Sequence, residues 1–179
     1  MNHIVVSGTI FGDDGVTPLE DVTLKVHHTD AEGLYNKKGE LADKLRLRGT
    51  MVTGEDGFYE FKTIKPAPNP GGTSPAHIHA IVSGAGYPEQ WIDPFWFEGD
   101  LFIPAHEKKK YADAGSFSPI LKIHKTGDGL LIASGISGLS GGEQRSGSAA
   151  DRAADRPPQP VVRPFHGRKP CHRDGSRGT

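Results

Sequence analysis

Two histidines, His77 and His79, stand two residues apart with a single isoleucine between them. Residues i and i+2 of a strand project from one face, so both imidazoles look the same way. Ile81 continues that face, while Ile78, Ala80 and Val82 line the other. Apolar residues on both faces predict cover on both faces, and therefore two buried imidazoles. A buried polar ring without a partner costs about 1–3 kcal/mol, so something must satisfy each one. A shared metal ion does so well, because imidazole nitrogens ligate at about 2.0–2.1 Å. Backbone or carboxylate hydrogen bonds in an ordinary core are the other solution. The spacing by itself leaves both open.

Other side chains carry weaker signals. His28 shares a strand face with Val22, Leu24 and Val26, and reads as a satisfied core histidine or as a support behind a metal ligand. Tyr59 alternates with Phe58 in a strand and reads as a packing aromatic, as do Trp91 and Trp96. The run Glu107-Lys108-Lys109-Lys110 reads as a solvated face.

The elements that must position these residues are strands. His3–Ile10 is a short apolar run ending in Gly12-Asp13-Asp14-Gly15, a turn cluster. Val22, Leu24, Val26 and His28 alternate with Thr23, Lys25 and His27, the period of two of a half-buried strand. Arg46–Thr53 and Phe58–Ile64 flank Gly54-Glu55-Asp56-Gly57, a hairpin signal. Pro75–Ser83 and Trp91–Phe97 read as two further strands, and Ser118–Lys125 with Leu130–Ile136 as a closing hairpin. Only His106–Ala114 looks helical. Short strands with turns at regular intervals predict an all-β fold, an antiparallel Ig-like β-sandwich.

The composition shifts near Leu139. Residues 140–179 are rich in Gly, Ser, Pro, Ala and Arg, with eight basic and four acidic side chains. So few apolar groups cannot offset an ordering cost of about 1–2 kcal/mol per residue. The expected organisation is a folded domain over 1–139 and a low-complexity, disordered tail over 140–179. Lys+Arg 21 against Asp+Glu 22 gives the chain no global attraction for nucleic acid. No apolar run is long enough for a membrane span. The start MNHIVVSGTIFG lacks the pattern of an export signal, and the one cysteine, Cys171, has no internal disulfide partner. A cytoplasmic protein is expected.

Four segments in register carry a family resemblance. They are His28-Thr29-Asp30-Ala31-Glu32-Gly33-Leu34-Tyr35, Phe61–Pro70, Pro75-Ala76-His77-Ile78-His79 and Phe95-Trp96-Phe97-Glu98-Gly99-Asp100. Over roughly residues 4–139 the chain resembles the intradiol ring-cleavage dioxygenases, the catechol and protocatechuate 3,4-dioxygenase family. The resemblance implies a prealbumin-like sandwich, a mononuclear Fe(III) cofactor, and a catecholic substrate opened with O2 to a muconate-type diacid in aromatic catabolism. It also implies possible assembly into homo-oligomers. The family's iron is held by two tyrosines and two histidines. The tyrosine of D-A-x-G-x-Y corresponds to Tyr35, which makes Tyr35 a metal ligand and the candidate catalytic residue; the histidines of P-A-H-I-H correspond to His77 and His79. A phenolate is a hard anionic donor suited to Fe(III).

The departing tyrosine of the family's P-x-P-Y-P, which accepts a substrate proton, corresponds to Asn69 within Pro66-Ala67-Pro68-Asn69-Pro70. A neutral amide oxygen is a poor Fe(III) ligand and no base. An arginine and a glutamine of the family pocket correspond to Ser74 and Pro94. His27 and Trp96 lie where the family carries pocket aromatics, and are the candidate substrate contacts. Two alternatives to an active dioxygenase follow. One is an impaired relative, disabled at Asn69; the other is a transthyretin-like binding module without metal, which the opening VSGTIFGDDGVTPLEDVTLKV also resembles.

Overall fold

The computed structural model describes residues 2–36 and 45–139. The tail expected over 140–179 lies outside the described residues. Nine strands dominate: β1 (His3–Phe11), β2 (Val22–His28), β3 (Leu47–Val52), β4 (Phe58–Ile64), β5 (His77–Gly84), β6 (Tyr87–Trp91), β7 (Phe95–Phe97), β8 (Ile120–Lys125) and β9 (Leu131–Gly138). One short helix, α1 (Ala105–Tyr111), and a 3-10 turn at Gly115–Phe117 precede β8.

The strands follow one path, β3-β2-β5-β7-β8-β9-β1-β4, with β6 added to β5. β3 and β4 are its two ends, and the turn at Gly54–Gly57 joins them, so the path curls back on itself like a barrel. This corrects the hairpin expected there. The turn is real, closed by Gly57 N–H donating to the Gly54 carbonyl at 2.8 Å. Its arms part, however, β3 pairing with β2 and β4 with β1. The sheet is also not purely antiparallel, since β1 pairs with β9 and β7 with β8 in parallel. The single strand expected over Trp91–Phe97 is two: β6 ends at Trp91, and β7 starts after Pro94, which has no N–H for a ladder.

Alternation sets the core. Ile4, Val6 and Ile10 of β1, Val22, Leu24 and Val26 of β2, and Ile78, Ala80 and Val82 of β5 are all buried on inward faces. Phe95 and Phe97 of β7, Leu121 and Ala133 complete the cluster. Tyr59 joins it, 3% exposed. Room for its ring comes from Gly8, where a Cβ would lie 2.6 Å from the Tyr59 hydroxyl. Fully burying such apolar side chains contributes about 1.5–3 kcal/mol each, which keeps β2 and β5 rigid beneath whatever their outer face carries.

Candidate metal centre

β2 and β5 run antiparallel with His27 opposite His79 and His28 opposite Ile78. Cross-strand partners share a face, so His27 and His79 stand on the outer side while His28 and Ile78 point into the core. His28 is 3% exposed and satisfied on both ring nitrogens, Nδ1 by the Thr29 carbonyl at 2.7 Å and Nε2 by the Thr63 hydroxyl at 2.8 Å. Burial holds its pKa below the ordinary imidazole value, opposed by the Thr29 carbonyl. The core-histidine reading of His28 is the one the packing supports.

The expectation of two buried imidazoles holds for His77 but not for His79, which is half-buried. The apolar residues of β5 that are fully enclosed lie on the Ile78 face, whereas Ile81 on the histidine face is itself only half covered. His77 Nδ1 lies 2.7 Å from the Pro75 carbonyl. A carbonyl only accepts, so Nδ1 carries a proton, and in the neutral imidazole the lone pair is then on Nε2. That Nε2 lies 3.1 Å from Nε2 of His79, which in turn lies 3.0 Å from the Tyr35 hydroxyl. Two ligands bound at 2.0–2.1 Å to one ion, with angles of 90–110°, stand about 2.8–3.4 Å apart. Both spacings fall in that interval. Among the described residues no group of three or more His, Cys, Asp or Glu could hold a metal; the groups that converge here are two imidazoles and a phenol. They fit a metal that accepts nitrogen together with a hard oxygen anion.

Tyr35 comes from a loop rather than a strand, and that loop is tightly tied. Gly33 turns at φ 81°, and a Cβ there would lie 2.1 Å from the Pro68 carbonyl oxygen. Only glycine permits that approach, which packs the Tyr35 loop against the segment carrying Asn69. Asn69 is half-buried and its carbonyl accepts from Gly72 N–H at 3.0 Å, closing a small turn. Before β5, the Asp100 carboxylate accepts from Ala76 N–H at 2.9 Å, fixing the strand as it enters His77.

Trp96 pairs with His77 across β7 and is 8% exposed, its ring edge-on to Tyr111 at 6.2 Å. His27 stacks on His79, with ring centroids 4.7 Å apart and planes at 25°. It lies on the histidine face, as a pocket residue must. Trp91 is the residue that sequence reasoning set aside as packing. It is 58% exposed and stands edge-on to both His79, at 5.6 Å, and His27, at 5.8 Å. The signal was its place one strand over from Ile81, which only the β5–β6 register reveals.

The family model described as Dioxygenase (Dioxygenase_C) matches residues 2–113, a stretch that contains every residue just described. The chain belongs to the intradiol ring-cleavage dioxygenase family. This intradiol family member is 32% identical over 119 residues to catechol 1,2-dioxygenase 1 of Acinetobacter lwoffii, covering 56% of the chain and 37% of that relative. To hydroxyquinol 1,2-dioxygenase of Rhizobium sp. (strain MTP-10005) it is 36% identical over 102 residues, covering 47% and 34%. The matches therefore span well under half of those relatives' length. Among solved structures, the dioxygenase domain of a dioxygenase–carbohydrate-binding fusion from Streptomyces sp. SirexAA-E superposes with a TM-score of 0.59 at 24% identity, covering 78% of this chain and 80% of that one. The 3-chlorocatechol 1,2-dioxygenase of Rhodococcus opacus 1CP superposes with a TM-score of 0.62 at 23% identity, covering 78% and 60%. These likenesses establish the fold of this intradiol dioxygenase relative. No helix among the described residues is long and apolar enough to cross a membrane.

Proposed function

We propose that the chain is an Fe(III)-dependent intradiol dioxygenase that opens a catechol-like aromatic diol with O2, with Tyr35, His77 and His79 as its metal donors. The observation that carries the proposal is the convergence of three polar atoms, His77 Nε2 at 3.1 Å and the Tyr35 hydroxyl at 3.0 Å from the one His79 Nε2. A metal-free binding module has no use for a phenol at that point. When bound, ferric iron supplies a Lewis acid for both diol oxygens and an electron-poor ring that O2 opens between the hydroxyl-bearing carbons, giving a muconate-type diacid.

The chain's own residues divide the remaining work. Tyr35 contributes the anionic charge that favours a ferric over a ferrous ion. Pro75 holds the His77 ring in one tautomer and one orientation, the outer support that metal-ligating imidazoles generally have. Trp91 and His27 form the aromatic side of the site beside His79. Trp96 and Tyr111 close the flank beside His77, where Tyr111 donates its hydroxyl to Asp93 at 2.5 Å.

Asn69 favours a second reading, a weakly active or inactive relative. Its amide offers neither an anion nor a base, so the second substrate proton has no acceptor there. Reconstitution with ferric iron separates the two. The wild-type protein is expected to hold one iron, to show a phenolate-to-iron charge-transfer band that moves when catechol is added, and to consume O2 with release of a muconate-type acid. Colour without turnover selects the impaired reading, and no iron uptake at all overturns the metal-centre assignment.

A further inference from the structure

We infer that Asp30 is the positioning residue of the Tyr35 phenol, an inference that rests on Tyr35 belonging to the site proposed above. Tyr35 sits on a connection between β2 and β3 with no ladder of its own to hold it. One side chain substitutes for that ladder. The Oδ1 atom of Asp30 accepts from Glu32 N–H at 3.0 Å and from Leu34 N–H at 2.9 Å, while Oδ2 meets Arg46 Nη1 at 3.3 Å. The Asp30 backbone works in the same direction. Its N–H donates to the Leu34 carbonyl at 2.9 Å, and its carbonyl accepts from Gly33 N–H at 3.1 Å and from Ala67 N–H at 3.0 Å.

Asp30 thus touches three parts of the site's frame: the turn that delivers Tyr35, the segment that carries Asn69, and the chain entering β3. Arg46 completes the ring from the far side, its N–H donating to the Tyr35 carbonyl at 3.3 Å. The Asp30 side chain is only 14% exposed, so its carboxylate is held against the loop, although the Glu32 and Leu34 amides that it accepts from lie at the exposed surface. Both backbone flanks of Tyr35 are therefore held: Leu34 by Asp30, and the Tyr35 carbonyl by the arginine that Asp30 pairs with. Asp30 is inferred to act on the site through the tyrosine loop that it holds.

The test uses metal-free protein, so that it does not depend on iron. In wild type, nuclear Overhauser effects are expected between the Tyr35 and His79 rings, whose centroids are 6.3 Å apart, and between His27 and His79, at 4.7 Å. Asp30→Ala should lose the first and keep the second. Asp30→Asn, which retains the Oδ1 acceptor, should keep both. A Tyr35–His79 effect that survives in Asp30→Ala overturns the inference. Should Asp30→Ala not fold, the wild-type Glu32 and Leu34 amides decide: exchange as fast as an unbonded loop overturns it, and protection supports it. In ferric-loaded protein, Asp30→Ala should bind iron about tenfold more weakly, the lower end of what an outer support is worth, with a weaker tyrosinate band per iron. If no form of the protein takes up iron yet the Overhauser pattern changes as expected, the iron reading falls and the role of Asp30 stands.

Discussion

The Tyr35 hydroxyl lies 3.0 Å from Nε2 of His79, though 44 positions separate the two residues. In the ferric site proposed above, Tyr35 is the expected source of colour. Tyr35→Phe is expected to abolish the visible charge-transfer band of ferric-loaded protein and to leave residual binding by His77 and His79. Metal content and absorption spectra check this; a band that persists in Tyr35→Phe assigns the colour elsewhere.

Asn69 sits on the segment that Gly33 packs against, so the backbone there is already held beside the Tyr35 loop. Asn69→Tyr should therefore place a second phenol near the imidazoles without refolding the loop. A restored proton acceptor is worth about 10²–10⁴-fold in rate. Steady-state O2 uptake is expected to rise by at least the lower figure, with a stronger charge-transfer band. Equal rates for the two proteins would show that position 69 takes no part in catalysis.

Trp91, 58% exposed beside His79, is expected to contact the substrate ring. An aromatic pair contributes about 0.5–1.5 kcal/mol beyond its buried area, so Trp91→Ala should raise KM about 2–12-fold, with kcat little changed. Trp96→Phe leaves Trp91 as the sole tryptophan. Its emission should be quenched on ferric loading because the coloured centre lies next to it. Emission indifferent to iron and an unmoved KM would place Trp91 outside the site.

The legible part of this protein was the part written in alternation and in short local motifs. β2 has an apolar period that names its inner face, and that His77 and His79 share a face follows from the period of two. Partner choice was not legible. The Gly54–Gly57 turn looks the same whether its strands pair with each other or separate to β2 and β1, because the choice depends on residues far away in sequence. Trp91 and Trp96 show the same limit. Both are tryptophans near one end of a strand run, and only the register of β6 and β7 against β5 shows that one lies open beside His79 and the other closed beneath Tyr111. The cover on His79 was over-read because Ile81 continues its face, yet one isoleucine on a half-open face does not enclose it.

Tyr59 offers a stability test independent of the metal. Burial pushes its phenol up to about 12, with the Ser137 hydroxyl pulling weakly the other way. The Ser137 hydroxyl is near enough to act electrostatically but does not form a well-made hydrogen bond with it. The neutral form is thus favoured in the fold, while the unfolded chain ionises near the ordinary tyrosine value of about 10. Between those values the unfolded state binds fewer protons than the folded one, so stability falls as pH rises through that window. Full stabilisation is present below about pH 10, and up to about 3 kcal/mol of it is lost by about pH 12. Tyr59→Phe removes a buried hydroxyl and the titration together. It should leave stability at pH 7 within about 1 kcal/mol of wild type and flatten the alkaline limb of a urea-midpoint profile. A Tyr59→Phe profile as steep as wild type between pH 10 and 12 would assign the alkaline loss to other groups.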